Sequence, residues 1–228
     1  MQIFQIGRKI MSNGKLIVIE AGDGSGKATQ TQKLFEHLSS KNYKVRKVSF
    51  PDYDSPSSSL IKMYLNGDFG THADDVDAYA ASTFYAVDRY ASYRMNWKKF
   101  YEAGEIILAD RYTTSNMVHQ AVKIADDNER ENFLNWLDDF EYVKLKLPRP
   151  DLVIFLDMPP EISEKLIKER NRTDIHEKDF NYLRRCYNSY KELAQKYDWI
   201  TINCSIDNEP RTIVEIHEDI FKQVGKIL

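Results

Sequence analysis

An apolar run, Leu16-Ile17-Val18-Ile19, meets the turn Glu20-Ala21-Gly22-Asp23-Gly24-Ser25-Gly26-Lys27-Ala28-Thr29, which opens into a helix-like stretch from Gln30 to Leu38. This order constrains the chain more than any other feature. A buried strand that ends in glycines and re-enters as a helix aims several main-chain N–H groups at one point. The helix start adds a partial positive charge there, and Lys27 adds a full one. At this spacing the cradle is that of a nucleoside triphosphate, with a ligand-free glycine turn as the plain alternative. Gly22, Gly24, Ser25, Gly26, Lys27, Ala28 and Thr29 are therefore read as the donor-nucleotide loop. The segment departs twice from G-x-x-x-x-G-K-[ST]. Ala21 stands at the first glycine and Ala28 at the final hydroxyl, a usual Mg²⁺ ligand. Thr29 falls one residue later, on another side of the helix. Mg²⁺ keeps several waters in protein sites, so one ligand fewer is tolerable.

The pattern beyond the loop alternates strand and helix. Apolar runs predict strands at 15–20, 43–50, 105–109, 151–157 and 199–203. Helical spacing predicts helices at 27–40, 57–66, 74–103, on to about 145, then 160–170, 179–197 and 210–224. The long helix at 74–103 is read from Val76, Tyr79, Ala80, Thr83, Phe84 and Val87, with Gly104 closing it. Strands separated by helices imply an α/β fold, a five-stranded parallel sheet between two helical layers. Ligands of such sheets bind at the carboxyl ends of the strands, which places Gly22, Pro51, Asp110 and Asp157 along one edge.

With 228 residues and no Gly/Ser/Pro-rich linker, 14–228 reads as a single domain, preceded by a flexible extension at 1–13 in which Met11 is an alternative start. A net charge of −3 gives no global basic field, so no nucleic-acid partner is expected. No apolar run approaches the roughly 20 residues that span a bilayer. Cys186 and Cys204 lack metal-ligand spacing and read as reduced thiols of a cytoplasmic protein.

Asp110-Arg111-Tyr112 directly follows the third strand. An Asp there can hold Mg²⁺ through water, and the adjacent Arg can fork onto phosphate oxygens; an isolated Asp-Arg pair would equally well close a strand. Further segments accompany it in order: Phe50-Pro51, Tyr85-x-x-x-Arg89, Ser115-Asn116, Pro150-Asp151-Leu152 and Leu156-Asp157-Met158-Pro159-Pro160. From about Lys15 to the C-terminus this ordered set resembles the thymidylate kinases, P-loop enzymes that phosphorylate dTMP with ATP.

The resemblance implies a three-layer P-loop kinase fold with a short lid, at about 170–178 here, and a homodimer. It implies that Asp23 accepts from the 3′-OH of the acceptor sugar and that Tyr112 disfavours a 2′-OH. Tyr85 would stack on the pyrimidine and Asn116 would meet the base edge. Arg89 would bond the base edge or the monophosphate, and Arg111 would grip the acceptor phosphate. Phe50, Pro51, Tyr53 and Ser115 complete the acceptor site. Arg170 or Arg172 would supply the lid cation, since the loop itself carries Ser25 and no arginine. One departure bears on chemistry: the family often has an arginine where this chain has Tyr53. Arg89, Arg111 and Arg94 are candidates to compensate.

The expected reaction is transfer from ATP, with Mg²⁺, to dTMP. Tyr53 favours a second reading, a deoxynucleoside kinase with Asp23, Glu20 or Asp110 as base. Ala28 favours a third, a nucleotide-binding module with little catalysis.

Overall fold

The computed structural model describes residues 14–168 and 180–228. The two lid arginines, Arg170 and Arg172, the lid itself and the extension at 1–13 lie outside the described residues.

Five parallel strands form the central sheet in the order β2-β3-β1-β4-β5. They are β1 (Leu16–Ala21), β2 (Val45–Ser49), β3 (Ile106–Asp110), β4 (Leu152–Asp157) and β5 (Ile200–Asn203). Every residue of β1 is buried, as expected of a central strand covered on both faces. Its side chains alternate between layers. Ile17, Ile19 and Ala21 pack with Leu34 and Leu38 of α1 (Lys27–Ser40) and with Ile216, Ile220 and Val224 of α9 (Ile213–Val224). Leu16 and Val18 face Tyr93, Trp97 and Tyr101. Phe155 of β4 carries a further cluster with Val118, Phe133, Leu137, Tyr182 and Tyr190.

The chain leaves β1 outward to β2, returns to β3 beside β1, then crosses to β4 on the other side. The crevice at that reversal is where such sheets take ligands. The register Ile19↔Asp110 and Ala21↔Leu156 brings the loop after β1 level with the ends of β3 and β4.

Between β2 and β3 run α2 (Ser59–Asn66), α3 (Ala78–Ser92), a π turn over Tyr93–Trp97 and α4 (Lys98–Glu102). Gly67 closes α2 at φ +87 and Gly104 follows α4 at φ +89, both left-handed positions that favour glycine. The long helix starts later than the spacing predicts. Ala73–Asp75 is a 3₁₀ turn, Val76 is extended, and Asp77 caps α3 by accepting from the Tyr79 N–H at 2.8 Å. Its buried face is also different. Ala78, Ala81, Ser82, Ala86, Arg89 and Ser92 are buried, whereas Tyr79, Ala80 and Val87 are exposed. Small residues let α3 approach its neighbours closely, and they gave no apolar signal.

After β3 come α5 (Thr113–His119), α6 (Asp127–Asp138) and a π turn over Asp139–Lys144; after β4 come α7 (Pro160–Lys168) and α8 (Phe180–Lys196). The last helix also starts later than expected. Pro210 belongs to a small hairpin, β6 (Ser205–Ile206) with β7 (Glu209–Pro210), and α9 begins after the Thr212 cap, which exchanges hydrogen bonds with Glu215.

Candidate functional site

The loop joins β1 to α1 through Gly24 and Gly26, at φ +77 and +79. No side chain caps α1, so its first N–H groups face the loop's open side. A methyl group built on Gly22 or Gly26 would meet no atom within 4 Å, which leaves the cradle free for an anion. Ser25 is turned inward, its Oγ donating to the Gly22 carbonyl at 2.6 Å, so it braces the loop. Ala28 and Thr29 are exposed on the first turn of α1.

Lys27 reaches across to the end of β3, where its ammonium donates to Asp110 Oδ1. Burial, followed by the positive Arg111, lowers its pKa, while Asp110 and Glu20 work the other way. An ammonium so placed gains from an incoming polyphosphate.

Arg111 sits at φ +66, a left-handed conformation that is costly for a residue with a side chain. The turn aims its guanidinium back toward the loop. Nη2 pairs with Asp23, and Nη1 donates to the Tyr190 hydroxyl at 3.1 Å and lies 3.1 Å from His119 Nε2. Burial opposes its charge, but Asp23, Tyr190 and Glu20 hold its pKa well above the ordinary value.

Beneath Arg111 lies Glu20, fully buried at the end of β1. It accepts from Thr114 Oγ1 at 2.6 Å, Ser115 Oγ at 2.8 Å, the Tyr190 hydroxyl at 3.0 Å and the Tyr112 N–H at 3.2 Å. Donors from this chain occupy both oxygens, so Glu20 is a strut tying α5 to β1 and no open base. Sequence reading assigned it no structural role, although an acid in a continuous apolar strand is a visible signal.

The cleft beside the loop encloses about 540 Å³, part of it open to solvent. Asp23 borders it on the loop side, with Phe50, Pro51 and Tyr53 after β2 and Tyr85 and Arg89 on α3. Arg111, Tyr112, Ser115 and Asn116 line the opposite wall. The expected acceptor residues are thus brought together. Leu65, His119 and Gln120 line it too and were not anticipated. His119 and Gln120 fall one helical turn after Ser115 and Asn116, and that i+4 spacing was the available clue. Arg94 is exposed on the π turn and is not among the lining residues.

Several of these side chains are held by the protein itself. Arg89 is buried and grips Glu141 with two nitrogens, Nε at 2.7 Å and Nη2. Glu141 also accepts from Thr113 Oγ1 at 2.8 Å and from Asn116 Nδ2 at 3.4 Å. Asn116 Nδ2 donates to the Ser82 carbonyl as well, at 3.3 Å. The polarity of this amide is thereby fixed, with Nδ2 on the protein and Oδ1 left to meet a ligand. Tyr112 is fully buried against Phe50, and its hydroxyl donates to the Pro148 carbonyl at 3.1 Å. Tyr53 is half exposed at the mouth. Tyr85 is partly buried on the inner side of α3, packed against Ile61, Tyr64 and Leu65.

Among the described residues, no group of three or more His, Cys, Asp or Glu side chains could hold a metal ion. No described helix is long and apolar enough to cross a membrane.

A family model described as "Thymidylate kinase" matches residues 19–220. The thymidylate kinase of Caldicellulosiruptor saccharolyticus is 30% identical over 216 residues, 94% of this chain and 96% of that protein. The probable thymidylate kinase of Pyrococcus horikoshii is 30% identical over 92% of this chain and 96% of its own length. The solved thymidylate kinase of Candida albicans shares the fold, with a TM-score of 0.70 at 23% identity over 94% of this chain and 92% of that one. With its phosphate loop and cleft in one crevice, and a family match across nearly the whole chain, the protein belongs to the thymidylate kinase family.

Proposed function

We infer that this chain transfers the terminal phosphoryl group of ATP to dTMP, giving ADP and dTDP. The observation that carries this reading is the contact between Asp23 of the phosphate loop and Arg111 of the cleft. It makes the two sites adjoin, as transfer between two bound nucleotides requires.

The acceptor is a phosphate anion at neutral pH, so no strong base is needed. The work falls to positioning and charge neutralisation. The loop amides and Lys27 hold the donor phosphates. Arg111, already set by Tyr190 and Ser115, turns its guanidinium to the acceptor phosphate, and Asp23 takes the 3′-OH. Arg111 makes up for the cation missing at Tyr53, since the charge of Arg89 is already met by Glu141. Tyr85 stacks on the base. Asn116 presents Oδ1 to a ring N–H, which favours thymine over cytosine, whose N3 is itself an acceptor. Tyr112 closes the sugar end against a 2′-OH. The family resemblance assigns the cation at the transferring group to Arg170 or Arg172, which lie outside the described residues.

Asp110 suits Mg²⁺, which prefers carboxylate, phosphate and water oxygens. It stands beside Lys27 at the loop, and the exposed Ala28 leaves room for a water where a hydroxyl is usual. When bound, Mg²⁺ supplies further neutralisation of the donor phosphates. A homodimer and a cytoplasmic location complete the proposal. The exposed outer face of α3 supports the first, and two buried free thiols, Cys186 and Cys204, support the second.

ADP release is to be measured with dTMP, dUMP, dCMP, dGMP and thymidine in turn. dTMP should give the highest kcat/KM. Turnover of thymidine without dTMP would establish the deoxynucleoside kinase instead. ATP binding with no acceptor-dependent ADP release would leave a binding module.

A further inference from the structure

Two histidines outside the site face each other across the helices α1 and α9. His37 stands in the last turn of α1, His217 in the second turn of α9, and His37 Nδ1 lies 2.9 Å from His217 Nε2. At that distance one proton lies between the two nitrogens, one ring donating and the other accepting. The His37 ring also stacks on Phe221, one turn further along α9, with centroids 3.7 Å apart and planes at 11°. The far nitrogen of His217, Nδ1, is buried and has no hydrogen-bond partner among the described residues. Nearer the phosphate loop, α9 meets α1 again, where Gln30 Nε2 donates to the Ile213 carbonyl at 2.9 Å. So α9 braces the helix of the loop at two points, and one of them titrates.

We propose that His37 and His217 form an acid-sensitive latch between α1 and α9, closed while a single proton lies between the facing nitrogens and opened when both rings are fully protonated. Full protonation puts an N–H on each facing nitrogen, which sets two donors and two positive charges against each other. The orphan Nδ1 gives nothing back, since no acceptor meets it. Burial, then His37, then Lys33 lower the pKa of His217, with Glu218 opposing. The other charged groups within a turn of the pair are Glu36, Lys41 and Glu215, all exposed, and Asp219, which is paired with Arg211. Beneath α1, Arg46 and Lys47 of β2 are taken by Glu105 and Gln32, and Glu20 and Asp110 belong to the site; β5, beneath α9, carries no titratable side chain. Because the folded pKa of His217 lies below its ordinary value of 6.5, the unfolded chain takes up its proton first as the pH falls. Stability linked to the latch is therefore complete above about pH 6.5 and is lost below it.

The test reads hydrogen exchange of α9 by mass spectrometry, as protection factors, in the unaltered chain and in His217→Gln. Glutamine can meet His37 Nδ1 as donor or acceptor and takes up no proton. Between about pH 7.5 and about pH 5.5 the protection of α9 should fall about tenfold in the unaltered chain, the change that one unit of pKa separation brings. In His217→Gln it should hold. The Kd for ATP, measured by calorimetry, should rise on acidification in the unaltered chain beyond any rise in His217→Gln. Equal loss of protection in both chains, or loss in neither, would overturn the latch. Loss of protection with no extra change in the Kd for ATP would overturn its link to the phosphate loop. Should His217→Gln fail to fold, histidine NMR of the unaltered chain decides. Two rings that titrate in coupled steps as α9 loosens would support the latch, and two independent titrations would overturn it.

Discussion

Arg89 and Glu141 meet in the wall of the cleft with both side chains almost wholly out of water. Burial alone would lower the pKa of Arg89, and Glu141 more than reverses this, so it lies above the ordinary value. The pair is worth most as a fixed object, because Thr113 and Asn116 are hung on the same carboxylate. Breaking it leaves an uncompensated buried guanidinium. Glu141→Gln should lower the unfolding free energy by about 3–5 kcal/mol, read from denaturant midpoints, and should loosen discrimination between dTMP and dCMP through Asn116. A loss under 1 kcal/mol with selectivity intact would mean that the cleft does not depend on this pair. At the donor side, Ala28 removes a hydroxyl from the first turn of α1. Ala28→Ser should lower the Mg²⁺ concentration that gives half-maximal rate; an unchanged titration would place the metal away from that turn. The residues of the loop and of Asp110-Arg111 were legible because their chemistry is tied to short spacing. Glu20 and Glu141 were not, because their meaning lies in donors brought from 92 to 170 positions away in one case and 25 to 52 in the other.

Elements carry the next level of control. Lys123 follows α5 and donates to the Tyr64 hydroxyl on α2 at 3.0 Å and to the Val76 carbonyl before α3 at 2.9 Å. It therefore ties together the two elements that flank the mouth of the cleft. Burial lowers its pKa from 10.5 to about 8, with Asp74 and Asp77 opposing. For a lysine lowered in this way, the unfolded chain binds more protons between about pH 8 and 10.5. Stability linked to Lys123 therefore rises with pH across that window. The unfolding free energy of the wild type relative to Lys123→Met should grow by an amount on the order of 1 kcal/mol between pH 7.5 and 9.5. A flat difference would show that the ammonium is well solvated. The five strands and the helices that cover them were readable from periodicity, and the parallel sense of the sheet followed from alternation, whereas the strand order did not. The errors fall where a capping residue overrules that pattern. Asp77 starts α3 after an extended Val76, and Thr212 starts α9 after a hairpin. The hairpin had its own signature, Asp207-Asn208 at φ +51 and +63, the residue types that favour a two-residue turn of positive φ.

At the scale of the whole molecule, α3 is two-sided. Its inner side holds Tyr85 and Arg89 in the cleft, and its outer side leaves Tyr79 38%, Val87 52%, Tyr90 38% and, on the π turn, Met95 77% exposed. The apolar period read at 74–103 is split: Val76 and Phe84 belong to the core cluster with Ile61 and Tyr64, while Tyr79 and Val87 mark this outer face. Single exposed apolar residues mean little, whereas a run of them along one helix marks an interaction surface. A two-fold contact along α3 would cover the same stripe on both copies, and a stable contact needs about 1,200 Å² or more in total. Such a contact would also stiffen the wall that carries Tyr85. The chain is therefore expected to sediment as a dimer at micromolar concentration. Val87→Glu combined with Met95→Glu should yield monomers, because like charges would face each other across the axis. The KM for dTMP should rise in that variant while ATP binding is spared, since the loop lies on β1 and α1, away from α3. A wild-type monomer at every concentration tested, or a dimer indifferent to both substitutions, would show that this face has another use.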